Sequence, residues 1–142
     1  KVLKNDWLYT GDIGHFENGY LKITDRKKDI LITPGGDNIS PIKIENDLCK
    51  IKFIEQALVY GDNRPYLVAL LILSNDNKTL NNDIIFSEIE KINKNLSKIE
   101  KIKKFFVIKE QFTIENGLMT PTLKLKRYKI IQKYKKEFEK LY

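Results

Sequence analysis

A small α+β domain preceded by a β-rich stub is the fold the sequence predicts, and three observations predict it. The run "YLVALLIL" (66–73) is unbroken apolar sequence, far short of the roughly 18 residues of a membrane span and suited to a central strand covered on both faces. Three stretches, beginning near Pro41, Ile84 and Arg127, repeat apolar residues at helical spacing. Ahead of them, "IGHFENGYLKITDR" (13–26) reads as a hairpin: Asn18-Gly19 tolerates positive φ at both turn positions, and "YLKIT" alternates apolar with polar side chains.

The remaining elements follow in order. "DILIT" (29–33) is a second strand candidate, stopped by Pro34 and by Gly35-Gly36. "SPIKIENDLCKI" (40–51) opens a helix with Ser40 as N-cap, Pro41 in the first turn and Glu45 soon after; Ile44, Leu48 and Ile51 form its apolar stripe. "IEQALVYGD" (54–62) and "YLVALLIL" are strands joined by the turn-forming "GDNRP". "NDNKTLNND" (75–83) is a polar loop, and "IIFSEIEKINKNLSKIEKI" (84–102) a helix with Ile85, Ile89, Ile92 and Leu96 on one face. "KKFFVIKE" (103–110) supplies the third strand of the main sheet. "RYKIIQKYKKEFEKLY" (127–142) closes the chain as one amphipathic helix with Tyr128, Ile131, Tyr134 and Phe138 in line. No internal repeat is visible.

Composition narrows the class. Hydrophobic residues at 42% suffice for a core and argue against wholesale disorder. The net charge of +7 comes from 26 basic residues, of which only Arg26, Arg64 and Arg127 are arginine. Scattered lysine without arginine grouped beside stacking or base-reading residues argues against a nucleic-acid reader and favours generic attraction to phosphate-bearing ligands. Cys49 and His15 are each the sole residue of their kind, which offers no disulfide, thiolate cluster or nucleophilic triad. Cys49 is expected as a small core or half-buried residue and His15 as a structural or surface residue. "KVLKNDWLYTGD" lacks the apolar segment of a signal peptide and starts in mid-pattern, as an excised piece would.

Four stretches carry chemistry. In "YTGD" (9–12), Asp12 follows a glycine turn, where an ionised carboxylate either caps the turn or accepts two hydroxyl hydrogen bonds from a sugar. In "DRKKD" (25–29), Arg26 offers a planar donor fork to hydroxyls or phosphate, or belongs to an exposed charge run. In "TPGGDNISP" (33–41), Gly35 and Gly36 either bring backbone close to something narrow or lead plainly into the helix cap. In "ENGLMTPTLKLKRYK" (115–129), Lys124 and Lys126 alternate with Leu123 and Leu125 after a Thr-Pro-Thr turn. A lysine there is a basic-tail charge, or a point charge set between a carboxylate and a phosphate. Neither a Walker-type Gly-Lys loop nor G-x-G-x-x-G is present.

Taken in order, "DRKKDILITPGGDNISPIKIE", "YGDNRPYLVALLIL" and "GLMTPTLKLKR" resemble the C-terminal part of long-chain fatty acyl-CoA synthetases. These enzymes belong to the adenylate-forming, AMP-binding superfamily, with firefly luciferase and the adenylation domains of peptide synthetases. The resemblance covers essentially the whole chain. It implies that residues 1–25 end a large N-terminal AMP-binding domain and that 26–142 form a lid, with a hinge at about 25–29. The lid is expected to hold a central three-stranded sheet flanked by helices, plus a short β hairpin.

By the same resemblance Asp12 and Arg26 hold the ribose of ATP, Lys28 is the pivot, and Gly35 and Gly36 line the pantetheine tunnel. Lys124 is the catalytic lysine of adenylation; because "TPTLKLKR" stands where many relatives end in Ser-Gly-Lys, Lys126 remains the alternative. The implied activity is two-step. A fatty carboxylate attacks ATP to give acyl-adenylate and pyrophosphate, then the CoA thiol takes the acyl group and AMP leaves. ATP and Mg2+ would be held mainly by the N-terminal domain, with CoA as co-substrate, and the isolated fragment would be inactive. The implied partners are that domain, fatty acid, ATP and CoA, with no nucleic acid. The implied setting is intracellular, in the cytoplasm or peripheral on a membrane. An adenylate-forming ligase for an aryl or short-chain acid is the alternative, and a basic module for nucleic acid or an acidic membrane surface the rival from another class.

Overall fold

The computed structural model describes residues 3–77 and 80–142. The chain forms two compact units, Lys1–Ile30 and Leu31–Tyr142.

The first unit is two hairpins. β1 (Leu3–Lys4) pairs antiparallel with β2 (Trp7–Leu8) across Asn5 and Asp6, both at positive φ. β3 (Asp12–Glu17) pairs with β4 (Tyr20–Arg26) through the Asn18-Gly19 turn, whose φ values of 51° and 83° are those the dipeptide was chosen for. The register slips by a bulge between Ile13 and Gly14. A Cβ on Gly14 would lie 2.6 Å from the Lys22 carbonyl oxygen, so this position tolerates no side chain. Trp7, Phe16 and Tyr20 are 74%, 77% and 78% exposed, a density of uncovered aromatic surface unusual for so small a unit.

The second unit begins with β5 (Leu31–Ile32) and β6 (Asn38–Ile39), a short antiparallel pair, then α1 (Pro41–Leu48). Ser40 caps α1 by accepting from Lys43 N, and Pro41 occupies the first turn, as the sequence predicts. β7 (Ile54–Tyr60) and β8 (Leu67–Leu73) are antiparallel. α2 (Asn82–Asn93) then leads to β9 (Ile102–Ile108), which pairs parallel to β8, giving the sheet order β7-β8-β9. α3 (Arg127–Lys133) and α4 (Lys135–Glu139) finish the chain.

Every residue of β8 is buried, and its pleat divides the interior in two. Leu67, Ala69, Leu71 and Leu73 face a cluster with Ile44 and Leu48 of α1 and Ile85 and Ile89 of α2. Val68, Leu70 and Ile72 face Phe112, Ile130 of α3 and Phe138 of α4. The result is three layers, helices on both sides of a three-stranded sheet, as expected for a continuous apolar central strand.

Four expectations need correction. The helix expected over 84–102 ends at Asn93, because the Asn93 side chain leaves the helix pattern to pair with the next strand. Its Oδ1 accepts from Ile102 N and its Nδ2 donates to Ile102 O, both at 2.9 Å. Leu96 is buried beyond the helix end. The single C-terminal helix is two, broken at Tyr134, and its buried line runs through Ile130 and Phe138. Tyr128, expected on that line, is exposed. "DILIT" contributes only Leu31–Ile32 as strand, since Thr33 already belongs to the turn that follows. Cys49 is exposed at the C-cap of α1; partial desolvation, then the Glu45 carboxylate, push its thiol up, away from thiolate chemistry. In the polar stretch 75–83, Asn75–Asn77 form one 3-10 turn and Asn81 caps α2, while 78 and 79 lie outside the described residues.

Asn93 is buried with its amide fully engaged, Nδ2 also donating to Glu90 Oε1 at 2.7 Å. Asn93→Ala leaves both backbone groups of Ile102 without these partners, at about 1–3 kcal/mol for each buried group. The expected outcome in denaturant titration is a loss of about 3 kcal/mol, against a near-neutral result for the control Lys98→Ala. A loss below about 1 kcal/mol would show that the Asn93 amide is replaceable by water.

Candidate functional site

Asp12 and Arg26 stand opposite each other at the open end of the β3–β4 hairpin, as direct Cα partners. Arg26 Nε lies 3.4 Å from Asp12 Oδ1, and both side chains are partly or largely exposed. The hairpin ladder continues one step further through Lys27 N, which donates to Gly11 O at 2.8 Å, with Gly11 at φ 75°. Thr10 Oγ1 accepts from Asp12 N and orients the start of the strand. The cross-strand register therefore presents an acceptor and a planar donor side by side toward solvent, an arrangement able to engage two vicinal hydroxyls.

Lys28 lies in the turn spanning 27–29, which Asp29 N closes by donating to Arg26 O. It is exposed and makes no ion pair among the described residues. The boundary between the two compact units falls just beyond it, after Ile30.

Gly35 and Gly36 occupy the loop of the β5–β6 hairpin. Thr33 and Asp37 close the loop: Thr33 N donates to Asp37 O and Asp37 N to Thr33 Oγ1. Gly36 N donates to Thr33 O, and Gly36 sits at φ 87°, the left-handed residue that completes a three-residue hairpin loop after Pro34 and Gly35. Gly36 is thus demanded by backbone conformation. Gly35 is not: it has no left-handed φ, and an added Cβ would meet nothing nearer than Asp37 Oδ2 at 3.4 Å. Nothing within this unit's packing requires a glycine at 35.

Lys124 is held by a tight turn. Thr120 N donates to Lys124 O at 2.8 Å, and Lys124 N donates back to Thr120 Oγ1 at 3.0 Å. Leu123 bends the loop at φ 59°, and Met119 bridges to Leu125 in antiparallel fashion. The segment is a miniature hairpin and not the extended run the alternation of Leu and Lys suggests. Lys124 is exposed at its end and makes no ion pair among the described residues, while Lys126 is half-buried at the N-cap of α3. The two lysines, equivalent in sequence, occupy different structural positions.

The residues that anchor this segment escaped sequence reasoning. Arg127 Nη2 donates to both carboxylate oxygens of Glu45, at 2.8 and 2.7 Å, and Nη1 donates to Val59 O at 2.9 Å. Val59 N in turn donates to Glu45 Oε1 at 2.6 Å. Farther up the same edge strand, the Gln56 side chain pairs with the Phe112 backbone through both its amide oxygen and nitrogen. Glu110 accepts from Lys133 and from the Tyr134 hydroxyl, which hold its carboxyl below the usual range in that order of importance. Glu45 was read only as a helix-start acid. Its position between Pro41 and Leu48, on the buried stripe of α1, was the available signal for a buried charge.

Among the described residues no group of three or more His, Cys, Asp or Glu is placed to hold a metal. His15 is exposed on β3. A groove of about 820 Å³ between α1 and α2, floored by Ile51, Phe53 and Ile92, contains none of the predicted site residues. Its rim lysines Lys50 and Lys91 pair with Asp47 and Glu88.

The two loop glycines separate fold from function. Gly36→Ala should cost roughly 1–2 kcal/mol of unfolding free energy from its left-handed backbone, whereas Gly35→Ala should be within about 0.5 kcal/mol of the parent. Thermal and denaturant unfolding check both. A large loss for Gly35→Ala would place its missing Cβ in the packing of the domain.

Residues 28–142 match the family described as AMP-binding enzyme C-terminal domain. Long-chain-fatty-acid–CoA ligase 5 of Mus musculus is 35% identical over 98% of this chain, and a long-chain-fatty-acid–CoA ligase of Mycobacterium tuberculosis is 32% identical over all of it. The chain spans only 24% and 27% of those relatives, about a quarter of their length. Among solved structures, the adenylation domain of a carboxylate reductase from Mycobacterium chelonae superposes with a TM-score of 0.88 at 28% identity, covering 99% of this chain and 24% of that one. O-succinylbenzoate coenzyme A synthetase of Bacillus subtilis in complex with AMP gives 0.66 at 29% identity, over 89% of this chain and 24% of that one. With the family match running from Lys28 to the last residue, and the three-layer fold shared with adenylate-forming enzymes, the chain belongs to the AMP-binding enzyme C-terminal domain family.

Proposed function

We propose that this chain is the mobile lid of a long-chain fatty-acid–CoA ligase, with residues 1–25 closing a preceding AMP-binding domain and the hinge at about 25–29. The observation that carries the reading is the alignment with ligases of that name across nearly the whole chain, the hairpin that bears Asp12 and Arg26 included. Asp12 and Arg26 bind the ribose hydroxyls of ATP, for which their side-by-side exposed placement is suited. The uncovered Trp7, Phe16 and Tyr20 pack on the preceding domain.

Lys124 serves the first step. Its exposed ammonium, at the end of a turn that Thr120 closes through its backbone N–H and its hydroxyl, neutralises the fatty carboxylate and the α-phosphate as they approach. Rotation about Lys28 then replaces the lysine edge by the Pro34–Gly36 loop, and the absence of a Cβ at Gly35 leaves a slot for the pantetheine arm of CoA. Magnesium supplies charge neutralisation at the ATP phosphates, and no residue of this chain is assigned to it. No helix among the described residues is long and apolar enough to cross a membrane.

A second acceptor is supported by the reductase adenylation domains among the structural neighbours: the phosphopantetheine thiol of a carrier protein in place of CoA. Single-turnover transfer from preformed acyl-adenylate to CoA or to a phosphopantetheinylated carrier separates the two.

In the full-length enzyme, Lys124→Ala should lower acid-dependent pyrophosphate exchange by roughly 10²–10³-fold, the scale of one preorganised donor. Thioester formation from supplied acyl-adenylate should be nearly unchanged. Lys126→Ala, at the helix cap, should affect exchange far less; the reverse ranking moves the catalytic role to Lys126. Lys28→Pro, which fixes φ near −65°, should impair one half-reaction much more than the other. Equal loss of both would place the pivot elsewhere.

A further inference from the structure

The Glu45–Arg127 pair joins two segments far apart in sequence and brings them together at one residue, Val59. Glu45 projects from α1, which follows the Pro34–Gly36 loop after the short strand β6; Arg127 begins α3, directly after the turn that carries Lys124. Both side chains are close to nine-tenths buried, at 13% and 10% exposure. Arg127 Nη2 donates to both Glu45 oxygens and Nη1 to Val59 O, so the guanidinium fork spans the carboxylate and the carbonyl, while Glu45 accepts from Val59 N. The four contacts form a closed ring around the outer edge of β7, and each group in it has its partner inside the ring.

Stability alone does not account for such a pair, because two buried charges cost several kcal/mol each to desolvate and well-packed apolar residues often serve the fold as well. What a planar guanidinium with fixed donor directions provides that apolar packing does not is direction. Here it sets the direction of the chain as it leaves the Lys124 turn: Lys126 N donates to Leu118 O, and Arg127 then fixes the first turn of α3 against α1. Lys124 itself touches no charged partner among the described residues, so its location depends on this frame.

We propose that Glu45 and Arg127 are positioning residues for Lys124. They hold the lysine-bearing turn at a fixed place relative to α1 and the glycine loop, so that lid closure delivers the ammonium and lid rotation delivers the loop as one rigid part. The inference rests on the reading of Lys124 as the adenylation lysine.

The test uses the full-length enzyme with Arg127→Lys and Glu45→Gln, each alone and combined with Lys124→Ala. Arg127→Lys keeps the charge and removes the fork. The expected result is a fall in kcat for pyrophosphate exchange of roughly 10-fold or more, with KM for ATP and fatty acid changed less than about twofold, as for loss of geometry without loss of binding. Thioester formation from supplied acyl-adenylate stays near the parent rate. In the Lys124→Ala background neither variant lowers exchange further, because both act through that lysine. Three results overturn the proposal. Additive losses in the Lys124→Ala background would mean that the pair acts independently of the lysine. A fall in Tm accompanied by equal loss of both half-reactions, or failure of both variants to fold, would make the pair a plain fold element. Full exchange activity in Lys124→Ala alone would remove the underlying assignment, and that arm identifies the failure as belonging to the reading of Lys124 and not to the pair.

Discussion

The outer edge of β7 is the constraint on which the rest of this domain depends. A three-stranded sheet has two edges, and an edge strand presents backbone donors and acceptors that must be paired, hydrated or covered. Here side chains do the pairing at Val59, whose two polar groups Glu45 and Arg127 take, while Gln56 of the same strand engages the backbone of Phe112 with its side-chain amide. Each of these contacts ties down a length of chain with no regular structure of its own. The segment between β9 and α3 contains no strand or helix, yet it is fixed at Phe112, at the Met119–Leu125 bridge and at Arg127. An edge that needed covering became the mounting for the lysine turn.

The layered core has a division of labour that follows from the pleat of β8. One side gathers α1 and α2, the other α3, α4 and the 110–126 segment. The glycine loop leads into the first side and the lysine turn into the second. The sheet thus separates the two loops while the ion ring, lying at its edge, connects them without passing through the core.

Much of this was legible in the sequence where the signal was local. The Asn18-Gly19 turn, the Ser40-Pro41 helix start and the continuous run of β8 each depend on residues within a few positions of one another, and each formed as the pattern indicates. The pairing of Asp12 with Arg26 was suggested only as two motifs at a spacing; the bulge at Gly14 decides that they meet. What stayed hidden was decided at long range. Asn93 ends α2 because Ile102 needs partners, a reason invisible to a helical wheel. The buried face of α3 passes through Ile130 and leaves Tyr128 outside because Arg127 must reach Glu45 on another element. Gly35 and Gly36 look alike in sequence, and only φ and the empty space around each tell them apart. The family-specific stretches made the candidate site residues nameable; the physical reasons for their placement came from tertiary pairing.

The parallel union of β8 with β9 carries a consequence for the order in which the chain becomes structured. β7 and β8 are joined by a short turn and can associate as soon as both exist, whereas β9 must wait for α2 to be made and laid across. The polar groups that receive Arg127 lie upstream of the lysine turn: Glu45 and Val59 both precede β9. On a ribosome Arg127 therefore emerges to find its acceptors already made, while Ile130 and Phe138, which share a cluster with Leu118 and Leu125 of the lysine segment, follow it.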